Sequence, residues 1–108
     1  MKLPAVTHLQ FVVLEALAES EQAGRELRAL LAAHAVKSSG PAFYQMMARL
    51  EQAQLVEGEY MQKTLAGQLV KERRYRLTRS GRRAVQDTRA FYAERAAQPR
   101  LARKSSHA

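Results

Sequence analysis

The sequence lacks cysteine and tryptophan altogether, and only 6% of its residues are aromatic. Without cysteine it can form no disulfide, no thiolate nucleophile and no cysteine-ligated zinc site. Its three histidines, His8, His34 and His107, lie too far apart in the sequence to match a usual metal-ligand spacing. We therefore expect no metal ion and no other cofactor.

Long apolar runs and catalytic motifs are also missing. No stretch approaches the roughly 18 apolar residues of a membrane span, and the chain leads from Met1 into an amphipathic pattern rather than a secretory signal. The glycines follow neither a phosphate-loop nor a dinucleotide-binding spacing, and no nucleophile stands near a credible base. We expect a cytoplasmic protein that is not an enzyme and has no membrane partner.

Positive charge is abundant and unevenly spread. The 108 residues, 46% of them hydrophobic, suffice for one modest core. The net charge is +8. Residues 1–54 carry five Lys/Arg and five Asp/Glu and are therefore neutral. Residues 55–77 carry five Lys/Arg against three Asp/Glu, and residues 78–108 carry eight Lys/Arg against two Asp/Glu. Such a gradient favours a polyanionic partner such as nucleic acid, or an anionic membrane surface.

The hydrophobic pattern predicts three helices in the first half of the chain. Thr7 followed by Gln10 forms a capping box before an apolar run, and Ser38 or Ser39 can cap the third helix. The predicted bounds are residues 7–19, 23–35 and 40–54.

The third predicted helix has an apolar face and a polar face. At 100° per residue its core face holds Phe43, Met47 and Leu50. On the polar face, Gln45 and Arg49 are the residues best suited to read bases, because Gln can pair bidentately with adenine and Arg with guanine. Plain solvent exposure is the alternative for both residues.

Residues 55–61 and 71–77 alternate in polarity and predict an antiparallel hairpin. Tyr75 then faces one way, and Arg74 and Arg76 face the other. The hairpin is followed by a helix that Thr78 caps and that continues beyond the needs of a small core.

The connection between the two strands, residues 62–70, is predicted to be a loop. It contains Leu65, Leu69 and Val70, which are unusually apolar for a solvated segment. The sequence offers no account of these three residues.

The order helix, turn, helix, hairpin, helix predicts a mostly α protein with a small β-hairpin, a winged helix-turn-helix with an extended C-terminal helix. We expect a winged-helix core at residues 1–77 with its wing at 55–77, a C-terminal helix at 78–97, and a disordered basic tail at 98–108. Winged helices mostly read duplex DNA, so the predicted partner is double-stranded DNA.

The candidate DNA-contacting residues have polar or cationic side chains. They lie on the third helix, just before it or on the hairpin. Hydroxyls beside a helix N-terminus can position a phosphate, and wing cations can follow the backbone or enter the minor groove. The predicted set is Ser38, Ser39, Tyr44, Gln45, Arg49, Lys63, Lys71 and Arg74. Capping for the serines, a core edge for Tyr44 and simple solvation for the cations remain open.

The first helix carries apolar residues on both of its sides, more than one small domain can readily cover. Either the helix is sunk in the core or its second stripe meets another subunit. We expect a homodimer, and the residues predicted for its interface are Phe11, Leu14, Phe91 and Tyr92.

Two motifs resemble those of the PadR family of winged-helix transcription regulators. The first is met by Phe43-Tyr44, Met46-Met47, Arg49-Leu50-Glu51 and Leu55-Val56, and the second by Arg74-Tyr75-Arg76-Leu77-Thr78-Arg79-Ser80-Gly81-Arg82. The resemblance spans roughly residues 9–92, although Gln54 stands where the family usually has a glycine and the hairpin tip lacks the usual Pro-Arg-Lys run.

The resemblance implies a homodimer joined through its C-terminal helix and first helix that binds an inverted repeat at a promoter, usually as a repressor. Many family members are released by small effectors, so it also implies a possible effector of unknown identity. Two alternatives stay open: a winged-helix protein-interaction module without specific DNA readout, and an effector sensor with a pocket at the dimer interface.

Overall fold

The computed structural model describes residues 4–98. The elements are α1 (His8–Glu19), β1 (Gln22–Ala23), α2 (Gly24–Ala33), α3 (Gly40–Gln52), β2 (Val56–Leu65), β3 (Gln68–Leu77) and α4 (Arg79–Ala97). The strands form one antiparallel sheet in the order β1-β3-β2. Helices α2 and α3 with the β2–β3 hairpin make a winged helix-turn-helix, which confirms the predicted fold class. Of the predicted tail at 98–108, only Gln98 lies within the described residues.

The short strand β1 is absent from the sequence prediction. Its two residues pair with β3, Gln22 opposite Tyr75 and Ala23 opposite Arg74. Two residues are too few for an alternating pattern to be visible in the sequence. Their strand conformation depends on β3, which supplies the backbone partners.

The core is built around α1, whose residues pack against the other helices and the base of the hairpin. Its buried members are Val13, Leu14, Leu17, Leu27, Leu31, Phe43, Met47, Leu50, Val56, Tyr75 and Val85. The predicted core face of α3 is thereby confirmed. Phe11 is half-buried and packs against this cluster.

The burial of Leu14 contradicts the prediction that this residue lies in the dimer interface. Its side chain is 0% exposed within the single protomer, so it is not available to a second subunit, and its assignment to the dimer interface is wrong. Of the two alternatives for α1, burial in the core is the one that applies to this residue. The hydrophobic periodicity shows that a helix has two apolar faces. It does not show whether each face packs against the same protomer or against a second subunit.

Helices α2 and α3 end in the same left-handed turn, although neither turn contains glycine. Ala35 has φ 63° and Gln54 has φ 62°. The following amides, of Val36 and Leu55, donate to the carbonyls of Leu31 and Leu50 at 2.9 and 3.0 Å. These hydrogen bonds satisfy carbonyl groups that would otherwise be free at the helix end. The residue in the left-handed conformation of such a turn is usually glycine.

Replacing Gln54 by glycine is expected to stabilise the fold by about 1 kcal/mol, because the left-handed conformation strains a residue that has a Cβ. The Gln54 carbonyl, which accepts from the Thr78 hydroxyl at 2.7 Å, is retained in the variant. Thermal and urea denaturation would measure the gain. Gln52→Gly, at the last residue of α3, is the matched control: its backbone is helical, so glycine relieves no strain there and is expected to lower stability by at most about 1 kcal/mol. A destabilised Gln54→Gly would show that the glutamine side chain contributes more than the strain costs.

The hairpin is longer than predicted. Strands β2 and β3 pair from Val56 opposite Leu77 to Leu65 opposite Gln68, and only Ala66 and Gly67 form the turn, with φ values of 52° and 79°. Two positive φ values in a two-residue turn match the twist of the flanking strands. The prediction of a loop at residues 62–70 is therefore wrong, because backbone pairing extends through residues whose side chains are exposed on both faces.

Helix α4 closes the domain by packing on α1. Thr78 caps it by accepting from the Gly81 amide at 2.9 Å, and Arg89 forms an ion pair with Glu15 of α1 at 2.8 Å. Val85 and Thr88 are buried against the core. Among the described residues, no helix has the length and apolar character needed to cross a membrane.

Candidate nucleic-acid interface

The outward face of α3 carries polar side chains that make no hydrogen bond or ion pair of their own within the described part of the chain. Ser39 caps the helix by accepting from the Ala42 amide at 3.1 Å, and Pro41 stands in the first turn. Gln45 and Arg49 are exposed, and within residues 4–98 neither side chain has a hydrogen bond or an ion pair. Both therefore present their full hydrogen-bonding capacity to the outside, which is what base recognition requires.

On one flank of α3 an ion pair joins the helix to the wing. The Arg73 guanidinium donates to Glu51 at 2.5 Å and lies 4.7 Å from the ring centroid of Tyr60. Burial is the largest single effect and opposes the charge of Arg73, but the hydrogen bond to Glu51 and the electrostatic attraction of Glu51 together outweigh it and raise the pKa of the arginine. Beneath it, burial raises the pKa of the Tyr75 hydroxyl to about 12. The wing base is thus held at a fixed position relative to α3.

A groove of about 530 Å³ lies between α3 and the wing. Tyr44 and Ala48 line it from the helix, and Tyr60 and Lys71 line it from the hairpin. The Lys71 ammonium lies 5.5 Å from the Tyr60 ring centroid and has no carboxylate partner among the described residues. The groove therefore has a free cation on its wing side, next to the exposed face of α3.

From the sequence, Tyr44 is either a DNA contact or an edge of the core. Its ring packs edge-on against Phe43, with centroids 5.0 Å apart, and covers Gly24, where a Cβ would lie only 2.7 Å from the tyrosine oxygen. The side chain is still 39% exposed. Tyr44 is therefore a core edge whose position is fixed, and it borders the groove.

Arg74 lies on the hairpin face opposite Tyr75, as alternation predicted, but carboxylates surround its guanidinium. It shares the face of the hairpin that turns away from the groove, and it approaches Glu72 at 3.5 Å and Glu26 at 3.7 Å. Glu72 also accepts from Arg25 at 2.6 Å, and this hydrogen bond lowers the pKa of the carboxyl group. Because these carboxylates already offset its charge, Arg74 is less suited to contact DNA than Lys71, and its predicted contact stays a prediction.

The predicted lysines are divided between the two faces of the wing. Lys71 pairs across the hairpin with Gln62, whereas Lys63 pairs with Val70 on the next rung. Successive residues of a strand point to opposite faces, so only Lys71 faces the groove beside α3. Lys63 lies on the same face as Arg74.

A second group of cations lies beside the start of α3, and the sequence interpretation did not include it. Arg28 of α2 donates to the Ser38 carbonyl at 3.4 Å and, with Arg25 and Lys37, borders a groove of about 400 Å³. Lys37 precedes Ser38 directly, which was the one signal in the sequence. The position of Arg28 beside it depends on how α2 packs.

The remaining predicted interface residues lie near the end of α4. Phe91 is half-buried and Tyr92 is 57% exposed, and their rings meet edge to face at 5.3 Å. Together they leave an apolar aromatic surface on this part of the helix. Residues 4–98 contain no cluster of side chains suited to a metal ion.

Three solved structures have a similar fold. RosR of H. salinarum is 20% identical over 95% of this chain and 89% of that one, with a TM-score of 0.66. A PadR family transcriptional regulator from Eggerthella lenta is 22% identical over 81% and 76%, with a TM-score of 0.60. The circadian clock associated protein Pex from Anabaena is 19% identical over 82% and 79%, with a TM-score of 0.54.

No protein-family model matches the sequence, and no curated protein matches it either. At these identities the structural likeness shows the fold alone, a winged helix similar to that of the PadR family regulator from Eggerthella lenta.

Proposed function

We propose that this protein is a sequence-specific regulator of transcription that binds double-stranded DNA in the cytoplasm and has no enzymatic activity. The observation that carries the proposal is the exposed face of α3, where Gln45 and Arg49 have no hydrogen bond or ion pair with any other residue of the described range 4–98. Cations that have no carboxylate partner among residues 4–98 lie near this face, Arg28 and Lys37 beside the start of α3 and Lys71 in the groove between α3 and the wing. A helix of this size fits the major groove, and cations beside it can contact the phosphates.

The position of each residue suggests its role in DNA binding. Gln45 and Arg49 would read base edges, each contributing about 1 to 3 kcal/mol of discrimination. Ser38, Ser39 and the α3 N-terminus would position a phosphate, since free amides and the helix dipole favour an anion there. The cations near this face would supply affinity that falls steeply with salt.

Selection of bound duplexes from a random pool tests this proposal. The parent protein is expected to enrich one sequence, and Gln45→Ala and Arg49→Ala are each expected to lose preference at one base pair, a loss of about 1 to 3 kcal/mol per site. Binding should stay salt-sensitive, because the phosphate contacts are untouched.

The controls are Gln86→Ala and Arg95→Ala, two exposed residues of the same types on α4. Both should enrich the parent's sequence unchanged. A parent protein that enriches no sequence, or alanine variants of α3 that keep every base preference, would contradict the proposal.

We further propose that the protein acts as a homodimeric repressor on an inverted repeat. Support comes from the aromatic surface of Phe91 and Tyr92, which the protomer leaves partly exposed, and from Phe11, which its own core covers only in part. Two-fold symmetry would place two copies of α3 about one duplex turn, roughly 34 Å, apart. Sedimentation of the protein with and without the selected duplex measures the stoichiometry, and one protomer per site would contradict the dimer.

A further inference from the structure

Strand β2 lies at an edge of the sheet. In the order β1-β3-β2, its second side has no partner strand among residues 4–98. The strand runs for ten residues, Val56–Leu65, whereas the edge strands of folded domains are usually short, bulged or covered. An edge of this length presents a row of unpaired amides and carbonyls, to which a further strand can be added.

The turn of the hairpin decides which backbone groups of β2 are unpaired. Only Ala66 and Gly67 separate the two strands. In a hairpin with a two-residue turn the flanking residues form a hydrogen-bonded pair, after which bonded and non-bonded pairs alternate. The backbone groups of the odd-numbered residues of β2 therefore point to β3. Those of the even-numbered residues, such as Tyr60, Gln62 and Thr64, point to the open edge.

The side chains of the odd-numbered residues lie on the face of the hairpin that turns away from α3. Along this face an acid, an apolar residue and a base follow each other at equal spacing: Glu59, Met61 and Lys63. Met61 is 45% exposed, and Lys63 has no carboxylate within ion-pair distance in the described part of the chain. When this series is turned end for end, each charge meets its opposite.

The geometry points to a second copy of this chain as the partner of β2, paired antiparallel about a two-fold axis through Met61. Glu59 of each copy then lies opposite Lys63 of the other, and the two Met61 side chains meet on the axis. Tyr60 falls opposite Gln62 of the other copy, so outward backbone groups meet outward backbone groups. Opposite charges on cross-strand partners stabilise such a pairing, and like charges would destabilise it.

The charges select this register over its neighbour. An axis one residue earlier would keep the same backbone pattern but would bring Lys63 opposite Glu57. Arg76 already lies 2.5 Å from Glu57, whereas it lies 3.9 Å from Glu59. Glu59 is therefore the more available carboxylate, and the axis through Met61 is the one that uses it.

This pairing leaves the candidate nucleic-acid interface open. An axis perpendicular to the sheet keeps like faces on the same side, so the grooves that contain Lys71 in the two copies open in one direction. Ten residues span roughly 33 Å, and the two domains lie at opposite ends of the joined ribbon. The contact is separate from the aromatic surface of Phe91 and Tyr92, and it does not depend on the proposed function.

Disulfide trapping tests the register, because the chain contains no cysteine. Met61→Cys would bring two thiols together on the axis, at a non-bonded pair whose Cα atoms are about 4.5 Å apart, within the roughly 4.4–6.8 Å that a disulfide bridges. Leu65→Cys is the matched control, also 45% exposed and on the same face of the same strand. Its two copies would lie roughly 26 Å apart along the strands.

Both variants are oxidised in a glutathione buffer, and the disulfide-linked dimer is followed by non-reducing electrophoresis. Met61→Cys is expected to form it at least about tenfold faster than Leu65→Cys, since association raises the effective concentration of one thiol beside the other.

A charge exchange tests the cross-strand ion pairs within the Met61→Cys protein. Glu59→Lys and Lys63→Glu each turn two attractive pairs into repulsive ones and should each slow trapping about tenfold. The double variant restores opposite charges and should restore the rate. A lysine near a thiol by itself makes the thiol more reactive, so slower trapping in Glu59→Lys distinguishes pairing from a change in reactivity.

Equal trapping rates for Met61→Cys and Leu65→Cys would overturn the inference, because they would show random collision. A double variant that is trapped as slowly as the single variants would overturn it as well. Neither experiment contains DNA, so the proposed function is tested separately by the selection of duplexes.

Discussion

Replacing Gly81 by alanine is expected to destabilise the folded protein by about 3 kcal/mol or more. A Cβ at this position would lie 2.0 Å from the carbonyl oxygen of Leu55 and 2.7 Å from Cδ1 of Leu77. The oxygen belongs to the backbone, so no rotamer change can remove the clash. It also accepts from the Thr78 amide at 3.1 Å, and a shift large enough to admit the methyl group would break this hydrogen bond.

Urea denaturation would measure the effect, with Gly40→Ala as the control. A Cβ at Gly40 meets nothing closer than the Arg28 guanidinium at 3.5 Å, which is ordinary contact, so this variant should change stability by less than about 0.5 kcal/mol. Equal stabilities of the two alanine variants would show that the start of α4 can move away from Leu55. The same contact gives a physical reason for the glycine in the second of the two sequence motifs, the segment that ends at Gly81-Arg82.

Leu14→Ala is expected to cost about 2 to 5 kcal/mol, because it opens a cavity in the centre of the core. The side chain is 0% exposed and belongs to the cluster that joins α1 to α2, α3 and the hairpin. The loss should be the same at low and high protein concentration, since it arises within one protomer. Denaturation at two concentrations checks this directly.

Tyr92→Ala provides the contrast, because this residue is 57% exposed. It should weaken self-association, measured by sedimentation, and leave the stability of the protomer almost unchanged. A Leu14→Ala protein that is fully stable but associates less would place Leu14 between subunits, against the packing described here.

The helical part of the fold is readable from the sequence because its signals are local. Thr7 with Gln10 predicts the start of α1, and both capping hydrogen bonds are present, at 3.0 and 3.1 Å. The 3.6-residue period places Phe43, Met47 and Leu50 in the core, and all three are buried. Capping and periodicity depend on residues within one or two turns, so no knowledge of the rest of the chain is needed.

Local sequence signals predict the wing only in part. Alternation correctly separates Tyr75 from Arg74 and Arg76, yet it predicts strands that are too short, because exposed residues such as Gln62 and Thr64 continue the pairing through their backbones. It also favours Arg74 as a DNA contact. The acidic partners that occupy Arg74 come from α2 and from its own strand, and the contribution of α2 is invisible in the sequence.

By itself, the sequence determined the order of the elements, the polar face of α3 and the gathering of positive charge in the second half of the chain. These properties follow from short-range periodicity, capping and composition. Only the tertiary structure decided that Leu14 faces inward, that the arginines at the base of the wing are paired with glutamates, and that Arg28 lies beside the start of α3. Each of these depends on which distant segment packs against the residue, and a side chain can be identified as buried, paired or free only when its neighbours are known.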